Sequence, residues 1–77
     1  MRRTFDDVQR MVNEMWDAEG APPMLGVMGS RQTLTHHLTG VVLDFELTRG
    51  DLSMPEGEFK EHCLSPRLGT LKASIKG

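Results

Sequence analysis

The residues able to do chemistry are few, and their spacing works against them. Histidine occurs at His36, His37 and His62, and the single cysteine is Cys63. Adjacent residues on a strand point to opposite faces, and adjacent residues on a helix diverge by about 100°. Neither His36–His37 nor His62–Cys63 can therefore close on one ion, and no C-x-x-C or H-x-x-x-H pattern occurs. No metal and no cofactor is expected. Cys63 follows Phe59 by one helical turn, on the apolar side of its segment, where a thiol is inert rather than nucleophilic. Asp44 and Glu46 alternate on one face of an extended stretch, about 7 Å apart, a separation that suits paired acid–base work. That work also needs a cleft, and 77 residues leave little material to build one. The pair reads as a solvated strand face. Gly26-Val27-Met28-Gly29 has apolar residues where a backbone-clamping loop of an RNA-binding module would be open, and it reads as a turn. Arg49-Gly50-Asp51 reads as a turn rather than an adhesion signal. No glycine-rich nucleotide-cradling pattern is present. The expectation is a protein that is not an enzyme.

The elements that must position these residues follow from periodicity. Phe5, Val8, Met11, Val12, Met15 and Trp16 form one apolar stripe at helical spacing. Thr4 is a good N-cap with Asp7 three residues on, and Gly20 with Pro22-Pro23 forbids continuation. The spacing predicts a helix over 5–19, with Trp16 and Met11 anchoring the core. Met24–Met28 reads as a short strand. Residues 33–39 are rich in threonine and alternate through Leu34, His36 and Leu38. They read as a strand in preference to a short helix capped by Ser30 and stopped by Gly40. Residues 41–48 give the cleanest alternation, with Val41, Leu43, Phe45 and Leu47 on one face and Asp44, Glu46 and Thr48 on the other. Ser53-Met54-Pro55-Glu56 resembles a capping box opening a helix over 54–63, ended by Ser65-Pro66. Leu71, Ala73 and Ile75 alternate with polar neighbours, which predicts a last strand at a sheet edge. The order is α-β-β-β-α-β. The expected fold is a single small α+β domain over residues 1–77, an antiparallel sheet of three or four strands with both helices on one face.

Nine basic and eleven acidic residues give a net charge of −2, which argues against a general polyanion binder. No run of about 18 apolar residues exists to cross a membrane. A lone cysteine forms no internal disulfide, which points to the cytoplasm. The chain starts at Met1 without a signal-like apolar stretch and reads as a complete small gene product.

With catalysis set aside, the sequence points to binding. The expected function is a small protein-binding module: an inhibitor, adaptor or accessory subunit acting by stoichiometric binding to a larger protein. Small inhibitors encoded by phages and mobile elements match it in size and composition only. The expected partner carries a basic patch. It would meet acids on the open sheet face and first helix, Asp44, Glu46, Glu14 and Asp17, with an apolar lip at Pro22 and Met24. A core this small also suits a homodimer, formed through the first helix or an edge strand. The alternative is a small nucleic-acid-binding protein using the basic C-terminal strand with Arg2, Arg3 and Arg31. Few aromatic side chains are present for base stacking, so nucleic acid is the weaker expectation.

Overall fold

The computed structural model describes residues 2–76. Helix α1 (Phe5–Met15) opens through the reciprocal box its sequence predicts. The Thr4 hydroxyl accepts from the Asp7 N–H at 3.1 Å, and the Asp7 carboxylate accepts from the Thr4 N–H at 2.9 Å. The helix ends at Met15 rather than residue 19. Trp16 is already extended, and its indole N–H donates to the Gly20 carbonyl at 3.3 Å, which folds residues 17–20 back on themselves. Gly20 has φ +83°, and a Cβ there would press on His36 and Leu38.

Strand β1 (Met24–Met28) has the bounds the sequence predicts. Gly29-Ser30 turns it tightly into β2 (Arg31–His36), with Gly29 at φ +62° as a type II′ hairpin requires. The strand expected over 33–39 thus begins earlier and stops at His36. Residues 37–40 form a loop closed by the Gly40 N–H on the His36 carbonyl, at 2.8 Å. Strand β3 (Val41–Asp44) completes an antiparallel sheet in the order β1-β2-β3.

Strand β3 stops short of the predicted residue 48, and Gln32 is the reason. Its carbonyl accepts the Phe45 N–H at 2.7 Å, the last bond of ladder type. Its buried side chain then takes over, accepting the Leu47 N–H at 2.9 Å and donating to the Ser30 carbonyl at 3.0 Å. The chain leaves the sheet along a glutamine side chain instead of a neighbouring backbone.

The segment expected as a turn, Arg49-Gly50-Asp51, opens helix α2 (Arg49–Ser53) behind a second reciprocal box between Thr48 and Asp51. The box expected at Ser53–Glu56 is not made. Helix α3 (Glu56–Phe59) starts behind Pro55 with no side-chain cap.

The break expected at Ser65-Pro66 and the strand expected over 70–76 are both replaced by helix. One wide π-turn, Lys60–Leu64, runs directly into helix α4 (Ser65–Lys76). Within it the Ser65 N–H reaches the Lys60 carbonyl, five residues back. Pro66, which has no N–H to donate, follows the π-turn directly within this continuous helical run. Arg67 Nη1 donates to the Cys63 carbonyl at 2.9 Å. In α4 the hydroxyls of Thr70 and Ser74 bond to the carbonyls of Pro66 and Thr70, each at 3.1 Å. Leu64, Leu68, Leu71 and Ile75 recur at helical spacing, and the first three are buried.

The core joins Val8, Met11 and Val12 of α1 to Leu34, Phe45, Phe59, Cys63, Leu64, Leu68 and Leu71. Met11 is a core anchor as expected. Trp16 is only half-buried and packs at the rim. Two arginines brace the assembly from outside. Arg3 lies over the Phe59 ring and donates to the carbonyls of Asp51 and Met54. Arg67 lies over Phe45 and donates to the Glu46 carbonyl. The α+β class, the leading helix and the one-sided antiparallel sheet stand as the sequence predicts.

Candidate binding surface

The ladder register sorts the sheet into two faces. Leu25, Leu34 and Leu43 stand side by side on the inner face, with His36 and Val41 beside them. Met24, Thr35 and Val42 form a row on the outer face, followed by Gly26, Thr33 and Asp44, then Met28 and Arg31. The helices pack against the inner face. On the outer face Met24, Val42 and Met28 are 49%, 57% and 80% exposed. Three large apolar side chains on one uncovered face of a small sheet form a surface of the kind that proteins bind.

The acids predicted to act together are not brought to one side. Asp44 lies on the open face but is paired with Arg31 at 3.0 Å, a diagonal cross-strand contact. Glu46 lies beyond the end of β3, exposed. Glu14 sits on α1 in a lattice with Arg10, Lys60 and Glu56, at 2.7 Å from Arg10 and 3.5 Å from Lys60. Hydrogen bonding from Arg10 holds its carboxyl below the usual range. Asp17 pairs with Lys72 at 2.9 Å, and that lysine likewise lowers its carboxyl. Of the apolar lip, Met24 belongs to the open face, while Pro22 is half-buried and precedes the sheet. The structure therefore places Met24 and Asp44 together and leaves Glu14, Asp17 and Pro22 elsewhere. Met28 and Val42 are members of the open face that the sequence reading did not single out. The alternation of residues 41–48 could have marked Val42 as lying on the same side as Asp44.

Of the groups with chemical potential, His36 and Cys63 are engaged within the fold. His36 is buried, and its Nε2 lies 2.9 Å from the Glu19 carbonyl, which can only accept, so Nε2 donates. Its Nδ1 meets the Thr39 hydroxyl at 2.9 Å, and its ring lies 5.4 Å from that of Trp16. His37 and His62 are exposed on separate elements. Burial raises the Cys63 thiol, and the Asp51 carboxylate 3.5 Å away raises it further. Among the described residues no three His, Cys, Asp or Glu side chains gather to hold a metal. A groove of about 830 Å³ runs between the loop at residues 17–19, the β2–β3 turn and the end of α4, with Leu38 and Ile75 on its walls and Lys72 and Lys76 at its rim.

The two sheet edges differ. On β1 the Gln9 side chain imitates a neighbouring strand. It accepts the Leu25 N–H at 2.6 Å and donates to the Pro23 carbonyl at 2.9 Å. On β3, the inward bond of Phe45 sets the phase of the ladder and turns the N–H and C=O of Val42 and Asp44 away from β2. Among the described residues nothing bonds to those groups.

No helix among the described residues is long and apolar enough to cross a membrane. Compared with known proteins, the chain matches no family model, no curated protein and no solved structure.

Proposed function

We propose that this chain is a small protein-binding module that acts by stoichiometric binding, as an inhibitor, adaptor or accessory subunit of a larger protein, and that it binds through the open face of its sheet. The observation that carries this reading is the set of exposed apolar side chains, Met24, Met28 and Val42, on the face that no helix covers. Methionine adapts its shape to a partner more readily than branched residues do. The acids assigned to a basic patch are mostly neutralised within the chain, so apolar contact dominates and charge acts at the rim. A nucleic-acid reading is weakened in the same way. Arg3, Arg10, Arg31, Arg67 and Lys72 are each held by carbonyls or carboxylates of the chain itself.

The test is site-directed photo-crosslinking in cells that express the protein. A photoreactive residue replaces Met28 on the open face, or Asn13, which is exposed on α1. The expected result is one dominant covalent adduct to a heterologous protein from position 28, absent from position 13. Equal adducts from both positions, or adducts to nucleic acid from position 28, overturn the reading.

A further inference from the structure

We infer that the outer edge of β3 is a seam for a second copy of this chain, the two β3 strands pairing antiparallel about a twofold axis centred on Leu43. The inference rests on the strand edge and is independent of what the open face binds.

Exposed edges invite pairing with other chains, and folded proteins blunt them with short strands, charged side chains, prolines, bulges or covering segments. Strand β1 is plugged by Gln9 at its start, at Pro23 and Leu25. Strand β3 has the sequence Val41-Val42-Leu43-Asp44; it is short and carries one charge, Asp44, but it has no side-chain plug, lysine, proline or bulge. Its inner-face residues Val41 and Leu43 pack on the core yet remain part-exposed, whereas Leu34 beside Leu43 on the central strand is fully buried. Apolar surface thus continues to the edge on both faces, with Val42 on the outer one.

Symmetry and charge select the register. A twofold axis normal to the sheet must pair residues that share a face. Centring it on Asp44 sets like charges directly opposite, which is unfavourable. Centring it on Val42 sets Asp44 against Gly40, whose backbone is turned into the loop at φ +75° with its N–H on the His36 carbonyl. Centring it on Leu43 sets Val42 against Asp44 of the second copy, twice over. Those are the residues whose N–H and C=O groups point outward, and each such pair exchanges two backbone hydrogen bonds. Asp44 then faces a valine, and its charge is already met by Arg31 of its own chain. The result is one continuous sheet through both copies with a doubled open face. The seam is short, so association is of the weak, concentration-dependent kind.

Sedimentation equilibrium from micromolar to near-millimolar protein tests the proposal, together with two edge variants. Val42→Pro removes an outward N–H and leaves the β2 ladder intact, and Val42→Lys adds a charge to the seam. A register probe accompanies them. Leu43 faces its own symmetry mate at a Cα separation of about 4.5 Å, within disulfide reach. Leu43→Cys should therefore give a covalent dimer on mild oxidation, while Val41→Cys, facing Phe45 of the second copy, should not. The buried Cys63 of the wild type sets the background. The expected result is a wild-type mass rising toward twice that of the chain, with both Val42 variants staying at the single-chain mass and keeping a wild-type far-ultraviolet circular dichroism spectrum. If Val42→Pro loses its fold, Val42→Lys carries the comparison. A wild type that stays monomeric throughout, folded Val42 variants that associate like the wild type, or Val41→Cys crosslinking as readily as Leu43→Cys each overturns the proposal.

Discussion

Replacing Gln32 by leucine should destabilise the domain by about 1–2 kcal/mol, a value set by two hydrogen bonds of unequal weight. The Gln32 side chain is buried and joins the Ser30 carbonyl, at 3.0 Å, to the Leu47 N–H, at 2.9 Å. Ser30 is exposed, so water replaces its partner at little cost. Leu47 is half-buried against the core, and its N–H would lose the only partner it has among the described residues. An unsatisfied buried donor costs about 1–3 kcal/mol, and the apolar leucine offsets part of that by burying carbon in the same volume. In a domain of this size about 1 kcal/mol moves Tm by about 4–8 °C. Thermal melts followed by circular dichroism should therefore show a fall of about 5–15 °C. Hydrogen exchange at Leu47 should accelerate more than at Leu34. Gln32→Glu separates the two bonds. Its carboxylate can still accept from Leu47 but meets the Ser30 carbonyl as an acceptor against an acceptor. Burial also raises its folded-state pKa above the unfolded value. The penalty is thus present at neutral pH and relieved as pH falls through the raised pKa, because the protonated acid regains a donor. A Gln32→Leu variant as stable as the wild type, with Leu47 still protected, would refute the assignment of β3's end to this side chain.

Four further outcomes follow from the packing. Ala73→Pro should cost about 3 kcal/mol or more, as a proline does inside a helix, whereas an edge strand over 70–76 would tolerate it; urea denaturation distinguishes the two. Met11→Ala should cost about 2–5 kcal/mol and Trp16→Ala less, because Met11 is enclosed and Trp16 lies half-buried at the rim; paired chemical melts read the order. Asp7 and Asp51 have carboxyls lowered chiefly by the backbone N–H groups of Thr4 and Thr48, so the stability they add is present above the ordinary carboxylate range and lost as pH falls through their depressed values. Acid titration of Asp7→Asn and Asp51→Asn should show a shallower loss than the wild type. Gln9→Ala should expose the β1 edge and raise light scattering on storage, without a matching change in the far-ultraviolet spectrum.

What the sequence made legible was whatever a single local signal decides. The stripe from Phe5 to Trp16 and the Thr4 box each rest on neighbours within one helical turn. The C-terminal third was not legible in this way because two signals conflicted. Leu71, Ala73 and Ile75 alternate as a strand would, while Leu64, Leu68, Leu71 and Ile75 recur as a helix does. The longer pattern spans Pro66, and reading Pro66 as a stop divides it. The π-turn at Lys60–Leu64 is what lets the helical register pass the proline, and it is a device of the folded chain with no local composition cue. The early end of β3 is similar. Phe45 and Leu47 continue the alternation, but their N–H groups go to the carbonyl and then the side chain of one glutamine across the hairpin. For the candidate surface, strand alternation placed Asp44 outward correctly, yet ion pairing depends on register. Arg31 is thirteen residues away from Asp44, and only the β2–β3 pairing brings them to 3.0 Å.

The same two glutamines explain why one sheet edge is partly plugged and the other is not. A glutamine carries a carbonyl and an amide in the arrangement of a peptide group, so its side chain can satisfy one acceptor and one donor of a strand at once. Gln9 does this from α1 against Pro23 and Leu25 and plugs the start of the outer edge of β1. Gln32 does it within the hairpin against Ser30 and Leu47 and ends β3 after four residues. Neither reaches Val42 or Asp44. The short length of β3 limits what can pair there, and its unplugged backbone decides where pairing occurs. In this small chain an uncovered apolar face lies beside an open edge. The proposed partner surface and the proposed seam would thus be adjacent on the sheet, and a dimer would present Met24 and Met28 of both copies on one continuous face.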